Sequence, residues 1–231
     1  MKHSRLEQLG GAGGIVFVAM QIASQALIQV GGGEPAFDAS AQAIAAFFRA
    51  RDSQLFALGD YLSSLSLIAL LWFLGSLRAA LSRAEGEPAW LSFVAAASGV
   101  VLVATVGGGG WPLAVFRGDE GLDPQVARLL FDQGNFAFAN AWVMLASLSL
   151  ATGVISIRTG ALPRWLGWAG ALIAVGLLGA RAVWASSGLV FIPFGLSYLW
   201  LIAISIVLIR RAPAPESPQR EPYRLLGQES S

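Results

Sequence analysis

The sequence predicts an all-α bundle of six membrane-spanning helices, and three observations predict it. First, 55% of the 231 residues are hydrophobic and 13% are charged, whereas average soluble domains carry roughly 25% charged residues. Second, the mean hydropathy of +0.64 is concentrated in six long runs rather than spread along the chain. Third, each run has about the 20 apolar residues that a helix needs to cross a hydrocarbon core of ~30 Å. The runs lie at residues 11–30, 56–78, 90–111, 135–157, 166–185 and 188–209. A helix satisfies its own backbone hydrogen bonds in lipid, and runs this long and apolar throughout are not strands. The low charge fraction also excludes a disordered chain, which needs few apolar residues and many charges.

The first run has two readings. Lys2 and Arg5 followed by an apolar stretch resemble the start of a signal peptide, with Ala39-Ser40-Ala41 as a cleavage site. Gln21, Ser24 and Gln25 would then interrupt its apolar core, and the site lies late, which favours a retained helix. Gln21, Gln25 and Gln29 recur every four residues and so share one face. That face reads as a polar lining or, more ordinarily in membranes, as a source of interhelical hydrogen bonds. Gly10 and Gly14 here, and Gly176 and Ala180 in the fifth run, have the spacing that lets helices approach closely.

Runs two to six are oriented by their arginines. With the N-terminus in the cytoplasm, inner segments carry ten Lys and Arg residues and outer segments four, Arg49, Arg51, Arg117 and Arg128. The outer segments hold Glu34, Asp38, Asp52, Asp119, Glu120, Asp123 and Asp132. Excess Lys and Arg marks the cytoplasmic side, so both termini are expected there, in a bacterial inner membrane. Trp111, Trp142 and Trp184 fall near the outer interface, and Trp90, Trp165 and Trp168 near the inner one. Trp72 and Trp200 fall deeper and are expected between helices. Pro193 marks the first turn of the sixth helix or kinks it. Residues 107–110 and 31–33, rich in glycine, read as flexible helix exits. Residues 1–211 form the membrane domain. Pro213, Pro215, Pro218 and Pro222 make residues 212–231 a flexible cytoplasmic tail.

The second and fourth helices align at an offset of 80 residues, pairing Asp60 with Asn140 and Arg78 with Arg158. A short amphipathic stretch precedes each, at residues 38–51 and 123–132. The pattern reads either as a parallel repeat of helices 2–3 and 4–5 or as coincidence among Leu- and Ala-rich segments.

Composition narrows the chemistry. The chain has no cysteine, and its one histidine, His3, and one lysine, Lys2, sit at the N-terminus. Disulfides, thiolate metal sites, membrane-embedded histidine ligands and a core Schiff base are therefore excluded. A net charge of +1 gives no bulk attraction to nucleic acid. Neither an enzymatic activity nor a cofactor is expected. Ionisable groups inside a bilayer are costly and default to function, and two qualify, Asp60 and Arg181. Both fall about one turn from the outer surface, with Asn140 and Gln25 at similar depth. These four residues are the candidate site, read as an outward polar pocket or as a structural ion pair between Asp60 and Arg181. Shallow depth favours the structural reading.

Residues 158–168 read Arg-Thr-Gly-Ala-Leu-Pro-Arg-Trp-Leu-Gly-Trp. This loop resembles the inner loop of an uncharacterised bacterial family of six-helix membrane proteins, a domain of unknown function. The resemblance implies the six-helix architecture and brings no catalytic or binding residue. The expectation for the whole is an integral membrane protein whose partners are the lipid bilayer and either a protein or a second copy of itself. It would act as an accessory or sensor protein binding a partner or a lipid-like ligand. The alternative is a small transporter or channel using the outer pocket.

Overall fold

In the computed structural model, residues 3–30, 32–107, 109–118, 121–184 and 191–210 are described, with side chains from Glu7 onward. The expected tail at 212–231 lies outside them. The described residues form eight helices: α1 (His3–Ile28), α2 (Ala41–Arg49), α3 (Ser53–Glu85), α4 (Trp90–Val106), α5 (Trp111–Gly118), α6 (Pro124–Thr159), α7 (Arg164–Ala182) and α8 (Phe191–Arg210). Six helical segments are long and apolar enough to cross a membrane, and the chain is a multi-pass membrane protein.

Helix ends follow local chemistry rather than the edges of the apolar runs. The Asp52 side chain caps α3 by accepting from the backbone N–H groups of Gln54 and Leu55, at 2.9 and 3.0 Å. Asp123 does the same for α6, with Pro124 at the first helical position. Those caps satisfy orphan donors and start both helices early. The expected starts at 56 and 135 are thus corrected to Ser53 and Pro124. Residues 123–132, expected as a separate amphipathic stretch, open α6 itself. Helix α4 ends at Val106, and Trp111, the last residue of the third run, opens the short helix α5. Ser40, read above as part of a cleavage site, caps α2 by accepting from Ala43 N–H.

The six long helices close into a ring in the order α1, α3, α4, α6, α7, α8, with α8 returning to α1. Small residues set the close approaches. A Cβ on Gly13 would strike the backbone of Ala69 and Phe73 in α3, and one on Gly14 would strike Ser205 of α8. Between α6 and α7 the contact is reciprocal: a Cβ on Gly153 would lie 2.7 Å from the Gly167 carbonyl oxygen, and one on Gly167 3.0 Å from that of Gly153. Ser98 and Ser147 hydrogen-bond across α4 and α6 at 2.7 Å. Phe73, Leu77, Leu148, Leu177 and Ile204 fill the ring's interior.

One end of the ring holds the two tight turns. Each has four residues and opens on a glycine with positive φ, Gly86 at 74° and Gly160 at 71°. Glu85 turns its carboxylate back onto the N–H groups of Leu91 and Ser92, at 2.9 and 2.8 Å, and caps α4 from the preceding helix. Arg83 forms a two-pronged ion pair with Glu7 of α1. In the loop at 158–168, Ala161 and Leu162 are buried while Trp165 and Trp168 are exposed, as membrane-interface anchors require.

The other end carries a cap. Here α2, α5 and the first turns of α3 and α6 enclose a second apolar cluster around Ile44, Phe48, Phe56, Val115 and Phe131. Trp111 stacks on Phe131, with ring centroids 5.5 Å apart, and donates its indole N–H to the Phe131 carbonyl oxygen. Two arginines tie the connecting loops to this cap. Arg51, 7% exposed, gives its guanidinium to the carbonyl oxygens of Ile28, Val30 and Gly32, at 2.8, 3.1 and 2.9 Å. These close the C-terminal end of α1, whose last carbonyls lack helical partners. Burial pulls this guanidinium below its ordinary range, and the charge of Glu34 opposes that shift. Arg128 donates to the carbonyls of Phe37 and Ala39 and to Asp132.

Two tryptophan expectations are corrected. Trp142, expected at an interface, is 1% exposed in the ring's interior, and Trp72, expected between helices, is 59% exposed. Helical phase decides both: Trp142 follows the buried Ala139 by three residues, whereas Trp72 stands on the outward face with Ile68. Trp200 is buried as expected and donates to the Leu166 carbonyl oxygen at 2.9 Å.

Candidate functional site

The cap end of the ring encloses a cavity of about 940 Å³ bordered by α1, α3, α4, α5, α6 and α8. It exists because the side chains that face it change in character along each helix. On α3 these are Phe56, Asp60, Ser63, Ser64, Leu67 and Leu70, at three- and four-residue steps along one face. On α1 they include Phe17, Gln21 and Gln25, with Gln29 just beyond the helix. Toward the cap the lining thus mixes Gln25, Asp60 and Ser64 with the apolar Ile28 and Phe56, and deeper in the ring it is apolar. The far wall is aromatic: Phe138 and Trp142 of α6 meet Phe191 and Phe194 of α8 in a run of edge-on and stacked rings, with centroid separations of 5.1–6.3 Å. Tyr198 extends that wall. The deepest lining residues, Phe17, Leu70, Leu102, Leu148 and Leu201, are all buried and apolar, so the cavity has an apolar floor.

The four residues singled out from sequence divide into two pairs. Gln25 and Asp60 share the cavity wall. Arg181 and Asn140 form a separate contact on α7 and α6. The Asn140 Oδ1 accepts from Arg181 Nε and Nη2, at 3.2 and 3.0 Å. The guanidinium also lies 4.9 Å from the ring centre of Phe136. Asp60 is half-buried and accepts no hydrogen bond from a described residue. The structure therefore pairs Arg181 with the residue that the offset of 80 aligns to Asp60, not with Asp60. Residues matched by that offset have different partners.

The glutamine stripe does both things its spacing allowed. Gln21 is buried and donates to Ser63 and Ser66 of α3, at 3.2 and 2.9 Å. Gln29 donates to Glu34 at 3.0 Å. Gln25, between them, is exposed along the cavity.

No family model, curated protein or solved structure matches this chain. The site's chemistry therefore rests on its own residues. Among the described residues the lining includes two carboxylates, Asp60 and Glu34, and no Arg, Lys or His. Among the described residues, no group of three His, Asp or Glu is placed to hold a metal. The Trp142 indole N–H is buried and meets no acceptor among the described residues, although buried indoles usually find one. Sequence reasoning missed the aromatic wall. Nothing in the sequence links Phe138, Trp142, Phe191 and Phe194, and only the closure of the ring, which turns α6 and α8 toward one cavity, brings them together.

Proposed function

We propose that this chain binds a lipid-like ligand in the cap-end cavity, as an accessory or sensor protein of the membrane rather than as an enzyme. The observation that carries this reading is the cavity itself, with its apolar floor, aromatic wall and polar strip of Gln25, Asp60 and Ser64. Ligand sites are typically concave, mostly apolar and furnished with a few polar groups that fix orientation. An acyl or aromatic body suits the floor, and a polar head suits the strip. The apolar floor weighs against a channel, because the polar strip does not continue through the ring. The ring order and the cap come from this chain alone. The likeness of residues 158–168 to a family of six-helix membrane proteins is part of the same reading, on those residues alone.

The arginine distribution supports a cap that faces the cell exterior, with both termini in the cytoplasm of a bacterium. Single cysteines test this cleanly, because the native chain has none. An impermeant maleimide is expected to label Ser40→Cys at the cap and spare Ser82→Cys at the turn end in intact cells. The reverse pattern overturns the orientation.

Binding is tested with radiolabelled monododecanoylglycerol, a neutral amphiphile, on protein in phosphatidylcholine nanodiscs. Saturable binding is expected in the native protein and is expected to be lost in Ser64→Trp, which fills the cavity from an exposed position. Equal uptake by both proteins overturns the reading.

A further inference from the structure

Within that reading, on which this inference rests, the structure also points to the charge of the ligand. We infer that the cavity selects an amphiphile with a cationic head, and that Asp60 is its counter-ion.

Three independent features of the lining carry the inference. The first is an imbalance of charge. Asp60 and Glu34 border the cavity, and no Arg or Lys among the described residues does. Arg51 holds the carbonyls at the end of α1 and its charge acts on Glu34, while Arg181 holds Asn140, so neither guanidinium is directed at Asp60. The second is the state of Asp60. It stands on the span α3, half-buried, and accepts no hydrogen bond from a described residue. Glu34 differs, because Gln29 donates to it. A carboxylate within a membrane protein ordinarily has a partner among neighbouring helices, so the missing partner is one a ligand can supply. The third is the wall. Phe138, Trp142, Phe194 and Tyr198 surround the same space as Asp60. Aromatic faces attract cations, and quaternary ammonium groups are commonly held in such surroundings. An anionic head would meet the carboxylate of Asp60 and, among the described lining residues, no cation. A neutral head would leave Asp60 as it stands.

A matched series tests this, with one alkyl chain and three heads: dodecyltrimethylammonium, monododecanoylglycerol and dodecyl sulfate. Binding is measured below micelle-forming concentrations to native protein and variants in phosphatidylcholine nanodiscs, with Ser64→Trp as the filled-cavity reference. The cation is expected to bind at least tenfold more tightly than the neutral compound, and dodecyl sulfate least. Asp60→Asn is expected to abolish the cation's preference, so that the cation and the neutral compound bind with similar affinity. Retained binding of the neutral compound shows that this variant is folded. Should Asp60→Asn fail to fold, Asp60→Glu decides: a kept cation preference supports the inference, and a lost one overturns it. Saturable neutral binding with no cation preference, or an unaltered preference in Asp60→Asn, overturns the counter-ion and leaves the cavity reading standing. No saturable binding of any of the three overturns both.

Discussion

Arg181 directs two guanidinium nitrogens at a single oxygen of Asn140, at 3.0 and 3.2 Å, and this contact joins α7 to α6. It also turns the guanidinium onto Asn140, and Arg181 is not among the residues that line the cavity. Hydrogen bonds to a charged group contribute about 1.5–3 kcal/mol net. In a double-mutant cycle, Asn140→Ala and Arg181→Ala are therefore expected to couple by about 1 kcal/mol or more. The pair Asp60→Ala and Arg181→Ala is expected to be additive. Unfolding of the detergent-solubilised variants measures both, and strong coupling between Asp60 and Arg181 would contradict the arrangement described here.

The contrast shows where sequence stopped being legible. Six apolar runs and the depth of four polar residues were readable, because length and hydropathy are properties of the chain itself. Which of the four meet depends on the ring order. Asp60 and Arg181 were natural partners by charge and depth, but α3 and α7 are separated by α4 and α6 on one side and by α1 and α8 on the other. Arg51 was legible only as an outer charge, since nothing local announces that it reaches back 23 residues to Ile28. Helix starts were misjudged for a different reason. Asp52 and Asp123 cap helices that begin outside the apolar runs, so hydropathy alone places those starts too late.

Arg51 makes the second prediction. Its three carbonyl partners belong to the end of α1 and the turn after it, and Phe47 lies under the guanidinium at 4.2 Å. Removal leaves those carbonyls without a charged donor. Arg51→Ala is expected to destabilise the protein by about 2–3 kcal/mol. Arg51→Lys is expected to recover less than half, because an ammonium cannot match the planar fork. Thermal unfolding gives the ranking, and limited proteolysis within residues 29–40 gives its location. Equal stability of the three proteins would remove Arg51 from this role.

Helix contact makes the third. Gly153 and Gly167 face each other so closely that any side chain must move a backbone. Gly179, on the same α7, has no atom within 4 Å of a would-be Cβ. Gly153→Leu is expected to disrupt the packing of α6 on α7, at more than the ~1–3 kcal/mol typical of overpacking. Gly179→Ala is expected to be neutral or slightly stabilising, since alanine favours helix by about 1 kcal/mol over glycine. Yield and monodispersity after extraction, with thermal unfolding, separate the two. A tolerated leucine at 153 would show that α6 and α7 can part without loss.

Two buried tryptophans supply the last prediction, because they differ in one hydrogen bond. Trp142 and Trp200 are 1% and 3% exposed, and both stand inside the ring. Trp200 donates to the carbonyl of Leu166 across α8 and α7, whereas the Trp142 N–H meets no acceptor among the described residues. Replacement by phenylalanine removes a similar volume from each site, and so a similar loss of packing. It removes a satisfied donor from one and an unsatisfied donor from the other. A buried polar group without a partner carries a desolvation cost of about 1–3 kcal/mol, and its deletion relieves that cost. Trp200→Phe is therefore expected to cost about 1–2 kcal/mol more than Trp142→Phe. The sign of the difference is the test, read from unfolding of the two variants side by side. If Trp142→Phe proved the costlier, its N–H would have a partner in the membrane-embedded protein. An occupant of the cavity that Trp142 lines is the first place to seek it, and stripping the protein of co-purified amphiphiles should then abolish the excess cost.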